Sequence, residues 1–293
     1  MTEVSWIKEA LKQTGLNSGL LNVQPVSGGD INESYHITTQ THELFIKTHR
    51  SMPADFFNIE AEGLRLLGKA NEVYTPKVFG VFTTESPERH GLVMEWIEDG
   101  KAPGRGDQLL GNSIANLHEM THTSFGYSKL TYIGEIPQQN GWWTDWCTYY
   151  KRKRLRSQAE IAEKNGLLPA IRKKRVEKLL ERLDEWIPGS DITPRLLHGD
   201  LWSGNWMTSS GGDIYLIDPS VFYGHHEMEL AFTELFGGFS NNFYDAYKDR
   251  LPVDSEYNNR KPLYQLFYLF VHLNMFGEMY GSQVDFILKR YTG

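Results

Sequence analysis

Two aspartates and an asparagine in the last third of the chain have the types and spacing of a phosphoryl-transfer centre. Asn205 lies five positions after Asp200, and Asp218 lies thirteen positions after Asn205. Phosphoryl transfer needs a carboxylate that orients and deprotonates the attacking hydroxyl, and oxygen ligands for the magnesium that neutralises the phosphates. The pattern predicts Asp200 as the base and Asn205 and Asp218 as Mg²⁺ ligands.

The order of these residues makes the pattern more specific than any one of them. Taken singly, each is explained as well by the capping of a turn. The ordered set is similar in spacing to the catalytic-loop aspartate, the catalytic-loop asparagine and the metal-binding aspartate of protein kinases. A turn at 209–212 and a β-prone run at 214–217 lie between Asn205 and Asp218, so we expect these two residues to flank one hairpin.

The first third of the chain supplies candidates for holding a nucleotide. Gly28 and Gly29 can bring backbone N–H groups close to phosphates, although a double glycine alone is more often an ordinary hairpin turn. Lys47 lies in a predicted strand, and Glu60 lies on the inward face of a predicted helix. Glu62 is the competing acid, about 200° away around the helix axis. The alternative is a surface lysine and a solvated acid.

A predicted strand at 92–97 is the candidate hinge for the adenine base. The backbone of Glu95 and Ile97 could pair with adenine, and Met94 adds apolar lining. The composition becomes rich in Gly, Pro and charge directly after this strand, which is typical of a connector. We therefore predict an N-terminal nucleotide-binding lobe over 1–97 and a C-terminal catalytic and acceptor-binding lobe over 98–293.

The elements that must position these residues follow from hydrophobic periodicity. Short β-prone runs separated by turn signals predict a small antiparallel sheet with one packed helix, and helical periodicity dominates the rest of the chain. The sequence thus indicates an α+β fold. The predicted strands are 23–26, 34–38, 43–48, 78–83, 92–97 and 214–217, and the predicted helices are 1–15, 54–67, 107–121, 143–164, 169–186 and 263–280.

Composition excludes several classes of function. A net charge of −7 and a pI near 5.8 argue against a nucleic-acid partner, since phosphate backbones are held by dense Lys and Arg surfaces. Cys147 is the single cysteine and fits a reducing compartment. The N-terminal segment shows helical amphipathicity and not a secretory pattern, and polar residues interrupt the most apolar stretch. We expect a cytoplasmic protein without a membrane span.

Two other motifs are interpreted as unrelated to nucleotide or metal binding. His118 and His122 match H-E-x-x-H, the pattern of two zinc ligands with a general base, but no third ligand is apparent at the usual distance. His118 is more readily explained as a helix residue packed near the catalytic loop. The segment 63–70 resembles a phosphate-binding loop but lies within a helix pattern and ends in Ala70, without the magnesium-binding hydroxyl.

The acceptor side is less well marked. A basic run at 151–156 could bind an anionic group or form a solvated helix face, and the nearby tryptophans could border a pocket or fill the core. Asp145 could meet a substrate amine. Trp202 could form a wall for a sugar face or pack in the interior.

The segment 198–205, HGDLWSGN, closely resembles the signature of the fructosamine-3-kinase/ketosamine-3-kinase family, relatives of the aminoglycoside phosphotransferases. The resemblance extends over nearly the whole chain. Further segments that carry it are VSGGDIN at 26–32, EAEGL at 60–64, LVMEW at 92–96, IDPSVFY at 217–223 and AFTELFGGF at 231–239. The resemblance implies a bilobal protein-kinase-like fold. It also implies ATP as the donor and phosphorylation of the C3 hydroxyl of a ketoamine, free or on a glycated protein, a deglycation reaction.

By motif matching, the resemblance implies the same base and Mg²⁺ ligands, with Lys47 on the phosphates and Glu60 as its partner. The chain departs from several members in having Asp30 where they have a cysteine linked to redox-sensitive dimers. We therefore expect a monomer, with a dimer as the alternative. Three other functions stay open: a kinase of the same fold acting on an aminoglycoside, choline or homoserine, a non-catalytic pseudokinase, and a zinc peptidase.

Overall fold

A computed structural model provides the structure, which describes residues 5–16, 19–26, 32–53, 55–85, 87–100, 106–189 and 191–293. The strands are β1 (Leu20–Val26), β2 (Glu33–Thr39), β3 (Glu43–His49), β4 (Val78–Glu85), β5 (Glu88–Glu95), β6 (Phe125–Tyr127), β7 (Thr131–Ile133), β8 (Ile136–Gln138), β9 (Gly141–Trp143), β10 (Arg195–Leu197), β11 (Trp206–Thr208), β12 (Ile214–Leu216) and β13 (Phe222–Gly224). The helices are α1 (Ser5–Gln13), α2 (Phe56–Leu67), α3 (Gly106–Glu119), α4 (Trp146–Tyr149), α5 (Ser157–Lys164), α6 (Ala170–Glu181), α7 (His226–Thr233), α8 (Asn241–Arg250), α9 (Tyr257–Phe276) and α10 (Gly281–Thr292).

The chain divides into two compact units, and the first consists of Met1–Gly106 together with Asn205–Pro219. Its centre is a five-stranded antiparallel sheet in the order β1-β2-β3-β5-β4. The β11–β12 hairpin also belongs to this unit, although it lies more than a hundred residues later in the chain. The first unit thus brings together segments that are distant in sequence.

Two amphipathic helices cover this sheet. The buried face of α1 presents Trp6, Ile7 and Leu11 to a core that includes Ile37 and Val93 of the sheet. The inward face of α2 carries apolar residues at helical spacing and packs on β4 and β5. The sheet and α2 together bury two charged side chains, Lys47 of β3 and Glu60 of α2.

The second unit consists of Asp107–Gly204 and Ser220–Gly293 and is mostly helical. The helix α9 forms much of its core, with eleven buried residues, and it packs against α5, α7 and α10. A small antiparallel sheet of three-residue strands, in the order β10-β13-β6-β9, lies in the same unit, together with the β7–β8 hairpin. Between α4 and α5, residues Tyr150–Arg156 form a π-helical segment.

The predicted α+β fold is confirmed, with an antiparallel sheet and packed helix followed by a helical region. Several bounds differ: β5 begins and ends earlier than the predicted 92–97, and the predicted single helix at 143–164 is broken by the π-helical segment. The short strands of the second unit were not predicted. None of the helices within the described ranges is long and apolar enough to cross a membrane.

Candidate active site

A buried lysine in the first unit contacts two carboxylates. Lys47 lies on β3, paired with Ser34 of β2 and Leu92 of β5, so its position in the sheet is fixed from both sides. Its Nζ donates to Glu60 Oε1 at 3.1 Å and to Asp218 Oδ1 at 2.6 Å. The structure therefore brings together three of the residues that the sequence predicted for the site.

The charges in this cluster do not balance, because one ammonium faces two carboxylates. Burial lowers the pKa of Lys47, but the charges of Asp218 and Glu60 outweigh that effect and hold the pKa above its usual range. Removal from water and the charge of Asp218 together outweigh the stabilisation from Lys47 and raise the pKa of Glu60 to about 7. The cluster is therefore suited to receive further positive charge.

The β11–β12 hairpin carries both predicted Mg²⁺ ligands. Asn205 is buried, and its backbone oxygen accepts a hydrogen bond from Ile217 N at 3.0 Å, which places the two ligands at the same end of the hairpin. Asp218 has φ 55°, a left-handed conformation that is uncommon outside glycine and that concentrates at functional sites. The carboxylate of Asp218 is thus directed by a strained backbone.

The connector after β5 is joined to this hairpin by backbone hydrogen bonds. Gly100 N donates to Thr208 O at 2.7 Å, and Ser210 N donates to Glu98 O at 2.9 Å. A Cβ on Gly100 would lie 2.0 Å from Ser209 O, so only glycine permits this approach. The position of the hairpin within the first unit therefore depends on a residue that no chemical motif contains.

The candidate hinge lies at the end of β5. Glu95 N donates to Lys77 O at 2.9 Å, and the Glu95 carboxylate accepts from Lys77 N at 3.1 Å. Met94 and Ile97 are buried. Because the Glu95 N–H is already used, adenine pairing here would fall to the Glu95 carbonyl and the Ile97 N–H, and it stays a prediction. The predicted Gly28, Gly29 and Asp30 lie outside the described residues.

The loop with the predicted base belongs to the second unit and is held by a buried glutamate. Glu229 accepts hydrogen bonds from His198 N at 3.0 Å and from Gly199 N at 2.6 Å. Its carboxylate also contacts His118 Nε2 at 2.8 Å. Burial raises the pKa of Glu229, but the hydrogen bonds from His118 and Gly199 outweigh it and keep the pKa below its usual range. Asp200 follows this anchored backbone directly.

Sequence reasoning missed Glu229, although it identified both the loop and His118. Glu229 follows the loop by about thirty positions, within the fully buried helix α7. An acidic residue on a helix without a polar face is the one signal that could have indicated a buried role. Its carboxylate fixes the backbone that presents Asp200.

The H-E-x-x-H motif serves the packing of the second unit in place of a metal site. The helix α3 ends at Glu119, so His122 does not continue its turn. His118 contacts Glu229 and also Tyr247 OH at 2.7 Å, whereas His122 stacks on Trp142 at 4.3 Å. Among the described residues, no group of three or more His, Cys, Asp or Glu side chains could hold a metal.

The predicted acceptor residues lie in the second unit with different exposures. Trp202 is 45% exposed, and the Asp145 carboxylate accepts from Thr148 N at 2.7 Å as the N-cap of α4. Within the basic run, Arg154 is fully buried, and its guanidinium lies 4.1 Å from the centre of the Phe222 ring. The run is thus only partly a solvated face, and the acceptor roles of Trp202 and Asp145 stay predictions.

Comparison with known proteins adds a family to this geometry. The family model for fructosamine kinase matches residues 4–292. A protein of Enterococcus faecium (strain ATCC BAA-472 / TX0016 / DO) named "Probable ketoamine kinase" is 42% identical, over 95% of this chain and 99% of its own length. A crystal structure from Haemophilus somnus 129PT, described as a "Putative fructosamine-3-kinase", has a TM-score of 0.87 and 25% identity, covering 97% of both chains.

A more distant structural match relates the fold to other kinases. The aminoglycoside phosphotransferase APH(4)-Ia aligns over 100% of both chains with a TM-score of 0.65, at 14% sequence identity. At this identity the match bears on the fold alone, and it agrees with the predicted kinase-like architecture.

Proposed function

This chain belongs to the fructosamine kinase family, and from that premise we propose that it transfers the γ-phosphoryl group of ATP to the C3 hydroxyl of a ketoamine. The chain is an ATP-dependent phosphotransferase, as the sequence predicted. The ketoamine acceptor, a sugar joined through C1 to an amine, is supported by the names of the relatives. The free and protein-bound forms of this acceptor share the same reacting hydroxyl.

The cluster formed by the buried Lys47 and Glu60 with the partly exposed Asp218 is the observation that carries the proposal. Kinases of this fold class use a strand lysine, held by a helix glutamate, to bind nucleotide phosphates. Lys47 and Glu60 lie 13 positions apart in sequence and 3.1 Å apart in the structure, both nearly inaccessible to solvent. A surface lysine with a solvated acid does not have this burial, which argues against the alternative interpretation.

The residues of the β11–β12 hairpin fit a magnesium ion. The carboxylate of Asp218 and the amide oxygen of Asn205 are the hard oxygen donors that would hold Mg²⁺, an ion that usually takes few protein ligands and completes its shell with phosphates and water. When bound, Mg²⁺ would neutralise the charge of the transferring phosphoryl group. The excess negative charge of the Lys47 cluster supports a cation at this position.

In the proposed reaction, Asp200 orients the C3 hydroxyl of the acceptor and accepts its proton. The hydroxyl oxygen forms a bond to the γ-phosphorus while the bond to the β,γ-bridging oxygen breaks, which releases ADP. Lys47 balances charge on the phosphates, and Glu229 holds the loop backbone so that Asp200 does not need to reorganise. Positioning and electrostatics therefore supply most of the rate enhancement.

An acceptor screen with labelled ATP tests the proposal. Fructosyl-lysine and ribulosyl-lysine are compared with an aminoglycoside, choline and homoserine, and the position of the phosphate on the product is determined by NMR. We expect the highest kcat/KM with a ketoamine and the label on O3. Preference for another alcohol would overturn the acceptor, and absence of transfer to every acceptor would support the pseudokinase alternative.

The same assay tests the base. Asp200→Asn removes the proton acceptor, so we expect turnover to fall by roughly 10²- to 10⁴-fold with the KM for ATP largely unchanged. Asp213→Asn, an exposed change in the turn between β11 and β12, is the matched control. Turnover of the Asp200 variant within a few-fold of the control would contradict the role of Asp200.

A further inference from the structure

Four aromatic rings lie side by side on the second unit. We call Phe236, His272, Phe276 and Tyr280 the aromatic platform. His272 is its centre, with ring centroids 4.6 Å from Phe236, 5.6 Å from Phe276 and 5.1 Å from Tyr280. Phe236 and Phe276 are 45% and 47% exposed. The rings therefore pack against one another and still present apolar surface to solvent.

Exposed aromatic clusters of this kind usually mark a ligand site. A single exposed phenylalanine is common, but contiguous apolar patches on soluble proteins concentrate at binding surfaces. Aromatic faces also bind two chemical groups well: C–H surfaces, by dispersion, and cations, by attraction to the negative face of the ring. The platform is thus suited to an alkyl chain that carries positive charge.

The segment that follows Phe236 contacts the loop that carries the base. Gly238 has φ 91°, and a Cβ built on it would lie 2.5 Å from the Cβ of Ser203. Ser203 lies three positions after Asp200. The backbone next to the platform therefore abuts the loop that carries Asp200.

A second path connects the platform to the same loop through stacked rings. Phe236 contacts the ring of Phe232 at 6.1 Å, and Phe232 stacks on Tyr268 at 3.7 Å with an interplanar angle of 2°. Tyr268 OH donates to Gly199 O at 3.4 Å. Two stacked rings, Phe232 and Tyr268, thus connect the platform to the backbone of the catalytic loop.

The central ring of the platform is neutral. His272 Nδ1 lies 2.8 Å from Tyr268 O, and a carbonyl can only accept, so Nδ1 carries the proton. Burial lowers the pKa of His272, which keeps the other nitrogen unprotonated at neutral pH. A neutral imidazole does not repel a cation, so the whole platform can contact one.

We propose that the aromatic platform binds the amine half of the acceptor: the protonated nitrogen of the ketoamine and the carbon stem that continues from it, as in a glycated lysine. This inference rests on the proposed function and adds specificity to it. Trp202 remains the candidate for the sugar half. Asp145, the acid that the sequence suggested for the amine, uses one carboxylate oxygen to cap α4. Aromatic faces in place of an acid would tolerate many amines with long stems.

The test compares two ketoamines with the same sugar and different stems. Fructosyl-Nα-acetyl-lysine amide has a long stem, whereas fructosyl-methylamine has the same secondary ammonium and almost none. Phe236→Ala and Phe276→Ala should each lower kcat/KM for the long-stem acceptor by roughly 3- to 30-fold, and lower it less for the methylamine adduct. The KM for ATP should stay unchanged. Phe236→Trp, which keeps an aromatic face, should retain most activity.

Phe286→Ala is the matched control, because Phe286 is 71% exposed on α10 of the same unit and is not part of the platform. Equal kcat/KM values for the platform variants and this control would overturn the proposal. An equal loss with both acceptors would also overturn it, since the stem would then contribute nothing. If the wild-type protein phosphorylates neither ketoamine, the proposed function itself fails, and that outcome is visible before any variant is compared.

Discussion

Lys47 is a single buried ammonium that pairs with two carboxylates. Its ammonium contacts Glu60 and Asp218, and the cluster carries a net charge of −1 when both acids are ionised. Ionising the buried Glu60 costs free energy, because removal from water disfavours its carboxylate. A cation bound near the cluster would offset that cost.

Glu60→Gln tests this balance. The pKa of Glu60 is raised to about 7 by burial, so its ionisation opposes folding: the contribution of Glu60 to the free energy of unfolding is fully present below its unfolded pKa of about 4.5 and is lost as pH rises through 7. The neutral glutamine removes that cost. We expect a higher Tm than wild type at pH 8, by roughly 2–4 °C for each kcal/mol gained.

The same variant should lose activity. The glutamine amide can still accept a hydrogen bond from Lys47 but carries no charge, so Lys47 keeps an ion pair only with Asp218 and we expect kcat/KM for ATP to fall roughly tenfold or more. Glu62→Gln, on another face of α2, should leave both Tm and activity near wild type. A Glu60 variant that is less stable than wild type at pH 8 would show that ion pairing outweighs burial in this cluster.

At the scale of elements, the β11–β12 hairpin depends on close backbone contact with the connector after β5. Gly100→Ala would place a Cβ 2.0 Å from Ser209 O, and backbone cannot yield as a flexible side chain does. We expect the hairpin, with Asn205 and Asp218, to shift. The Mg²⁺ concentration for half-maximal activity should rise roughly tenfold, with the KM for the acceptor unchanged.

Gly211→Ala is the control for this prediction, because a Cβ there would lie 3.6 Å from Ser209 Oγ, an ordinary contact. Overpacking typically costs about 1–3 kcal/mol, so thermal stability is measured alongside the magnesium titration. Magnesium titrations that coincide for the two variants would mean that the connector does not position the hairpin.

Local signals explain which elements the sequence could predict. The strands of the first unit are short β-prone runs separated by turn residues, β2 alternates in burial, and α2 has apolar residues at helical spacing, so these elements follow from short windows. The three-residue strands of the second unit have no periodicity of their own and exist through pairing between distant segments. The π-helical segment was missed because its residues look helical.

The residues of the site also fall into those that local sequence signals indicate and those that they do not. Lys47 and Glu60 could be paired in advance, since a strand lysine and an inward helix acid are local features. The role of Glu229 could not be predicted, because its carboxylate acts by accepting hydrogen bonds from two backbone N–H groups about thirty residues earlier in the chain. Gly100 could not be predicted either, because glycine indicates no chemistry and its role is to leave space for the backbone of Ser209. Residues that act through tertiary contacts are thus the ones that sequence reasoning misses.

At the scale of the whole molecule, the second unit buries a network of neutral histidines. His225 contacts Tyr264 OH at 2.7 Å, and His226 contacts Tyr247 OH at 2.9 Å. Burial lowers the pKa of both histidines, to about 2 for His226, and the nearby positive charges of Arg195 and Arg260 lower it further. Below about pH 6.5, both histidines therefore stay unprotonated in the folded protein, whereas they become protonated in the unfolded chain.

This network predicts that the free energy of unfolding falls as pH drops below about 6.5, the pKa of histidine in the unfolded chain. Each histidine that stays neutral contributes a slope of about 1.4 kcal/mol per pH unit, so the pair gives up to about 2.7. Urea unfolding between pH 7.5 and 5 measures the slope. His226→Gln should reduce it by about half, whereas His42→Gln, at an exposed position, should not change it. If the slope of the His226 variant equals that of wild type, the acid sensitivity arises elsewhere, in carboxylates such as Glu229 that titrate at lower pH.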